Sequence, residues 1–378
     1  MTTPRLSLNQ RLRKSPFEER SHVGATLASV YNHVVLPSVY ASLEEDYWHL
    51  REHVQIWDVA CQVQVEVQGP DALALMEYLT PRDLSQIVPG QCVYAPLIDA
   101  DAGIVNDPII LCLAPDRFWL SISDSDVLLW VKGLATGAGF NVRVFDPDVF
   151  PVSIQGPKSD LLLSRLIDTP TEDIRRFRFI EAKIADTDLI IARTGWSGQG
   201  GFEFYLAESA KGVDLWDTIV GAATDLNLRS GCPNLIDRIE TGLLSHGNDM
   251  TFSNNPIEAG LDRFFKLGKD SDYLGRQALE EIASAGPSQR MVRIMVPGSG
   301  ITNPREIYPM TVSGSEQPGS VTSICHSPRM RCHVGFAYAP ADSCSPGTRI
   351  TISTPAGDAE GQIADEHWRV DASDHSVG

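Results

Sequence analysis

Two carboxylates in this chain stand where a carboxylate can act on a ligand. Glu203 lies near the end of the run RTGWSGQGGFEFY at residues 193–205, behind Trp196 and the four glycines 195, 198, 200 and 201. Glycines permit positive φ and close approach to the backbone, so the run reads as a ligand-facing hairpin; the same pattern also describes a bulged structural hairpin with a solvated glutamate. Asp107 lies in AGIVNDP, just past a turn, and Pro108 after it has no N–H to donate. A loop aspartate often serves only as a solvated cap, but this one should sit beside Tyr94 from the preceding strand. Trp48, Trp57, Tyr94, Trp119 and Trp196 are either core residues or faces for a flat heterocycle. No GxxxxGK[ST] loop and no GxGxxG between strand and helix is present, so nucleotide phosphate is not the natural ligand.

Positioning these groups requires strands on either side of the glycines. Residues 189–192 supply one, and Phe202, Phe204 and Leu206 alternate with Glu203 and Tyr205 to give the other its period of two. An internal echo accompanies the hairpin. VQVEVQGPDALALMEYLT from Val63 and FPVSIQGPKSDLLLSRLI from Phe150 share the order strand, Gln-Gly-Pro, amphipathic helix, which predicts two related α+β units. Between them, CVYAPLIDADAGIVNDPIILCLAPDRFWLSIS gives alternating strands, followed by a helix over 125–136. Further helices are expected over 215–226, in CPNLIDRIETGLLSHG, and over 277–283; beyond them strand-turn repetition predicts a small all-β domain.

A length of 378 residues suggests two or three domains, and 43% hydrophobic residues fit a globular protein. The net charge of −18 argues against nucleic acid, which needs a basic face, and tolerates a cationic substrate. No apolar run approaches the roughly 20 residues of a spanning helix, and the N-terminus has no apolar leader, so a cytoplasmic protein without membrane contact is expected. The seven cysteines are scattered and odd in number, as for reduced apolar residues. Cys325, His326, Cys332 and His333 invite a zinc reading, but the intervening SPRMR is strand-turn-strand material and no metal site is expected. His246, in SHGNDM, reads as a site-lining or satisfied core histidine.

Several strings in order carry a resemblance. Residues 193–203, Arg238 and Glu240 in DRIETG, PIEAGL at 256–261, DYLG at 272–275 and GSVTS at 319–323 resemble the aminomethyltransferase (glycine-cleavage T-protein) superfamily over nearly the whole chain. VYNHVVLP, EEDYWHLREHVQIWDVAC, LTPRDLS, QGPKSDLL and GLLSHGNDM are similar to its dimethylsulfoniopropionate demethylase branch. The resemblance implies an α+β fold, a three-domain cloverleaf with two related α+β subdomains and a C-terminal β-barrel or jelly-roll-like domain. It implies a folate-binding domain over 1–52 and 141–270, an inserted ferredoxin-like domain over 53–140, and an all-β domain over 271–378.

It further implies tetrahydrofolate as methyl acceptor. Glu203 would accept the pterin N–H groups, as one ionised carboxylate can do bidentately, and Trp196 would pack on the folate. Asp107 matches the catalytic carboxylate near the reacting nitrogens, with Tyr94 and Tyr205 lining the site. A small cationic methylated donor would meet Tyr31, Trp57 and His246, aromatic faces suiting a sulfonium or quaternary ammonium. A homodimer is compatible with the sequence. Pro233-Asn234 stands where the aminomethyltransferase branch usually has Arg-Asp, and Trp196 where it has Tyr; against the demethylase branch, Gln62-Val63, Gly198 and His246 replace Glu-Arg, Lys and Tyr. The implied activity is methyl transfer from dimethylsulfoniopropionate or a related cation. The alternatives are aminomethyl transfer from a lipoyl carrier and a non-catalytic folate-binding regulator.

Overall fold

The Gln-Gly-Pro echo is carried into three dimensions twice. In the computed structural model, which describes residues 7–298, 300–304 and 306–365, strand Val63–Gln68 runs into helix Ala72–Leu79, and strand Phe150–Gln155 into helix Ser159–Leu163. The glycine is needed in both turns. Gly69 and Gly156 have φ of 145° and 122°, and a Cβ would strike the Asn141 carbonyl at 2.6 Å in the first and the His53 carbonyl in the second.

Each unit builds its own sheet, the first antiparallel and the second antiparallel except for one parallel edge strand, Arg229–Gly231. Val63–Gln68 enters a five-stranded sheet with Arg143–Phe145 on one side and Arg117–Ile122, Ile109–Ala114 and Gln91–Tyr94 on the other. Phe150–Gln155 lies in a six-stranded sheet ordered Phe179–Ile184, Thr187–Ala192, Gly201–Leu206, Phe150–Gln155, Gln55–Asp58, Arg229–Gly231. Strand pairing decides which sheet two short segments join. Gln55–Asp58 pairs with Val152, Ser153, Ile154 and Gln155, so it belongs to the larger sheet. Arg143–Phe145 pairs with Gln68, Val67 and Glu66, so it belongs to the smaller one. Register, which the linear pattern does not carry, decides both.

Both sheets fall in one compact unit, formed by the chain up to Glu77, Leu84–Ala95 and Asn106–Asn234. Its main core joins Ile56, Val152, Ile154, Ile191, Phe202, Phe204 and Leu206 to Leu215, Trp216 and Ile219 of helix Gly212–Gly221. Asp58, buried, accepts 2.7 Å hydrogen bonds from the Ser15 and Ser21 hydroxyls and so ties down the N-terminal segment.

The second compact unit takes Tyr78–Asp83, Pro96–Val105 and the chain from Leu235. Strands Gln289–Val296, Cys332–Pro340, Gly319–Ser327, Tyr308–Val312, Arg349–Thr354 and Gly357–Ile363 close on themselves, the last pairing with the first. The C-terminal domain is thus a closed barrel, filled by Ile294, Val296, Val321, Ile324 and Ile352. Cys325 and His326 lie on one barrel strand, Cys332 and His333 on the next, His326 opposite His333 in the strand-turn-strand arrangement expected. No helix among the described residues is long and apolar enough to cross a membrane.

Candidate functional site

The glycine hairpin forms between strands Thr187–Ala192 and Gly201–Leu206, with Ala192 opposite Glu203 and Ile190 opposite Tyr205. The apolar face is where alternation predicts it, since Phe202, Phe204 and Leu206 enter the main core. The other face is also buried. Tyr205 packs with Cys92, Leu111 and Trp119 of the five-stranded sheet, its ring centroid 5.9 Å from that of Trp119. Glu203 is 4% exposed. The solvated-glutamate alternative therefore does not describe this residue.

Glu203 has hydroxyl partners. The Thr194 hydroxyl donates to Oε2 at 2.5 Å and the Tyr205 hydroxyl to the same oxygen at 3.4 Å. No Lys or Arg pairs with it among the described residues. Burial pushes its carboxyl above the ordinary range, and hydrogen bonding to the carboxylate pulls it partly back. Burial likewise raises the Tyr205 phenol, with the Glu203 charge adding to it, and raises the Cys92 thiol.

Asp107 follows strand Ile104–Asn106 and is half-buried; its Oδ2 accepts the Tyr94 hydroxyl at 3.0 Å. Asn106 sets this turn, donating to the Asp124 carbonyl at 2.8 Å and to Ser125 Oγ at 3.0 Å while accepting from the Asp107 amide at 2.9 Å. Tyr94 lies two residues from Cys92 on strand Gln91–Tyr94 and so shares its face, the one turned toward Tyr205. Tyr205, which donates to Glu203, packs with Cys92, and Tyr94, which donates to Asp107, lies on the Cys92 face of its strand.

Two of the four glycines serve a different purpose from the one their number suggests. Gly195 and Gly201 have φ of 153° and 150°, and a Cβ on either would strike the Gln155 side chain. Gln155 accepts the Ser197 hydroxyl at 2.6 Å and donates to Ser153 Oγ at 2.8 Å, so it pins the loop from beneath. These glycines make room for a packing side chain, while half-buried Trp196 remains at the loop surface.

The aromatic set divides. Tyr31 ends strand Leu27–Tyr31 and packs half-buried on Val34, Leu36 and Cys61. Its turn is docked by Asn32, whose amide donates to the Cys61 and Ile122 carbonyls at 2.9 and 2.8 Å. Trp57 is 1% exposed, packs with Leu50 and Val59, and donates its indole N–H to Gln55 Oε1 at 2.8 Å. That is a core position, in place of the cage face suggested by its residue type. His246 lies in the second compact unit, half-buried in a turn where the Gly247 amide donates to Met250 and the Ser245 amide to Asp249 Oδ2. Sequence reasoning missed Thr194, Asn106, Ser121 and Gln155. A usable signal was the pair of glutamines 62 and 64 beside Val63, Val65 and Val67, since polar residues at period two in an apolar strand mark a polar buried face.

The fold and site define a class. The GCVT N-terminal domain signature matches residues 17–269, and that of the glycine cleavage T-protein C-terminal barrel domain matches residues 289–368. The chain therefore belongs to the glycine cleavage T-protein family, is an enzyme, and has tetrahydrofolate as its one-carbon acceptor. Among relatives, it is 42% identical over 362 residues to the dimethylsulfoniopropionate demethylase DmdA of Ruegeria pomeroyi, covering 96% of this chain and 98% of that protein. It is 29% identical to the aminomethyltransferase of Halothermothrix orenii over 90% of this chain and 95% of that one. The fold matches the glycine cleavage system aminomethyltransferase T of Bartonella henselae with a TM-score of 0.83 at 22% identity, covering 94% of this chain and 97% of that one.

Proposed function

We propose that this enzyme transfers a methyl group from dimethylsulfoniopropionate, or a closely related sulfonium or quaternary ammonium compound, to tetrahydrofolate. The observation that carries the folate site is the buried carboxylate of Glu203, with which no Lys or Arg pairs among the described residues. A carboxylate offers about four lone-pair positions, of which Thr194 and Tyr205 address two. Its surroundings fit a neutral ligand edge presenting N–H donors, as a pterin does, and offer no phosphate cradle. Trp196 and Tyr205 supply apolar surface for the flat ring.

When bound, tetrahydrofolate would supply the nitrogen that takes the methyl carbon while a neutral thioether leaves a sulfonium donor, or a tertiary amine leaves a quaternary ammonium donor. Asp107, held by the Tyr94 hydroxyl, is the carboxylate that stabilises positive charge at that nitrogen and receives the proton released from it. The apolar ring of Cys92, Leu111, Trp119 and Tyr205 excludes water, and alignment of the two reactants alone can supply up to roughly ten kcal/mol. Tyr31 and Trp196 are the half-buried aromatic faces proposed for the cationic donor. The donor class follows the greater likeness to the demethylase, together with Pro233-Asn234 and Trp196 at positions where the aminomethyltransferase branch differs.

The test is a donor panel with the purified full chain and tetrahydrofolate, read by mass spectrometry of the folate. 5-Methyltetrahydrofolate formed from a sulfonium or quaternary ammonium donor supports the reading. No methylated product from any of them, with activity appearing only on addition of an aminomethyl-lipoyl carrier, reverses it.

A further inference from the structure

Asn106 immediately precedes Asp107 and is 1% exposed. Its side-chain amide is spent on the turn around it. The Oδ1 accepts the Asp107 amide at 2.9 Å, and the Nδ2 donates to the Asp124 carbonyl at 2.8 Å and to Ser125 Oγ at 3.0 Å. A buried amide must find partners for what it offers, so an apolar residue would fill the position at less cost if packing were its only purpose.

The loop that Asn106 grips, residues 123–126, is held from a second side. Asn32 donates its backbone amide to Asp124 Oδ1 at 3.0 Å, and its side-chain amide reaches the carbonyl of Ile122, the last residue of the preceding strand, at 2.8 Å. Asn32 and His33, with φ of 45° and 63°, form the two-residue turn between strands Leu27–Tyr31 and Val34–Val39. One loop therefore ties the turn bearing Asp107 to the hairpin bearing Tyr31. Ser125 stands at φ of 80°, a left-handed conformation that costs energy for a residue with a side chain and persists only where neighbours over-determine it. Asn106 bonds both this residue and the one before it.

We propose that Asn106 is a positioning residue of the methyl transfer, fixing the Asp107 carboxylate against the frame made by the 123–126 loop and the Tyr31 hairpin. It rests on the reading that Asp107 serves the reacting nitrogen. Tyr94 holds the carboxylate itself, and Asn106 holds the backbone that carries it. Such control matters because proton transfer requires hydrogen-bond reach, and a misplacement of about 1 Å can cost about 100-fold in rate.

The experiment is a double-mutant cycle on the full chain, with kcat measured as 5-methyltetrahydrofolate formed from saturating dimethylsulfoniopropionate and tetrahydrofolate, and thermal unfolding as a folding control. Asn106→Leu is expected to lower kcat by about 10- to 100-fold, with 5-methyltetrahydrofolate affinity changed by less than about twofold. In an Asp107→Ala background the same substitution should change kcat by less than about twofold, because the group it positions is already gone. A merely structural role gives the same factor in both backgrounds. Ser125→Ala, which removes one acceptor of the Asn106 amide at an exposed position, should repeat the pattern with a loss of about threefold, and it decides the matter if Asn106→Leu does not fold. Equal factors in the two backgrounds, or a wild-type kcat in the single variants, overturn the proposal. A wild type that forms no 5-methyltetrahydrofolate overturns the donor reading, and an Asp107→Ala protein with near wild-type kcat overturns the role of Asp107; the positioning role falls with either.

Discussion

Glu203 and Asp249 are both buried carboxylates, 4% and 1% exposed, and they are compensated in opposite ways. Asp249, in the barrel-bearing unit, faces the Arg238 guanidinium at 2.6 Å and also accepts from Thr322 at 2.8 Å, Ser323 at 2.6 Å and the Ser245 amide at 2.9 Å. Arg238 in turn donates to Ser323 at 2.6 Å, so charge and hydrogen bonds close within the fold. Glu203 has hydroxyl partners but no Lys or Arg pair among the described residues, and burial leaves its carboxyl raised. Burial alone does not mark a site. Under the proposed function, the incompletely compensated carboxylate is the one that meets a ligand.

The largest effect that can test this contrast lies on the structural side. Arg238→Ala strands a buried carboxylate and should cost about 3–5 kcal/mol in chemical denaturation; a loss under about 1 kcal/mol would remove the distinction between the two acids. Next, Asp107→Ala should lower kcat by about 100- to 1000-fold while changing folate affinity far less. A kcat close to wild type would move the chemistry to another group. Trp57→Phe, which loses the indole bond to Gln55, should lower stability by about 1–2 kcal/mol and leave the donor KM unchanged within about twofold; a large rise in KM would return that ring to the donor site.

The smallest effect is a pH dependence. Because the folded-state pKa of Glu203 is raised, its contribution to stability is fully present below the ordinary carboxylate range and is lost as pH rises through the folded value. Glu203→Gln should therefore be more stable than wild type near neutrality, with the gap closing in acid. A variant less stable at neutral pH would place Glu203 with Asp249 as a structural acid.

Local pattern carried much of this. The period-two alternation of 202–206, both Gln-Gly-Pro units, the pairing of Tyr94 with Asp107 and the all-β C-terminal region are all visible in residue order, because each depends on neighbours close in sequence. What depends on distant neighbours was not. Trp57 reads as an available aromatic until Leu50, Val59 and Gln55 enclose it. Gly195 and Gly201 read as ligand-approach positions until Gln155, some 40 residues away, fills the space beneath them. Gln55–Asp58 and Arg143–Phe145 exchange sheets because pairing register decides membership.

The central claim is that Glu203 is held uncompensated in order to receive the folate. The most direct measurement is the dissociation constant of tetrahydrofolate for wild type and Glu203→Gln at neutral pH, made anaerobically with both proteins shown to be folded. Loss of the charge-assisted acceptor should weaken binding by about 1.5–3 kcal/mol, roughly 10- to 150-fold, in a variant at least as stable as wild type. Equal affinity in the two proteins would contradict it.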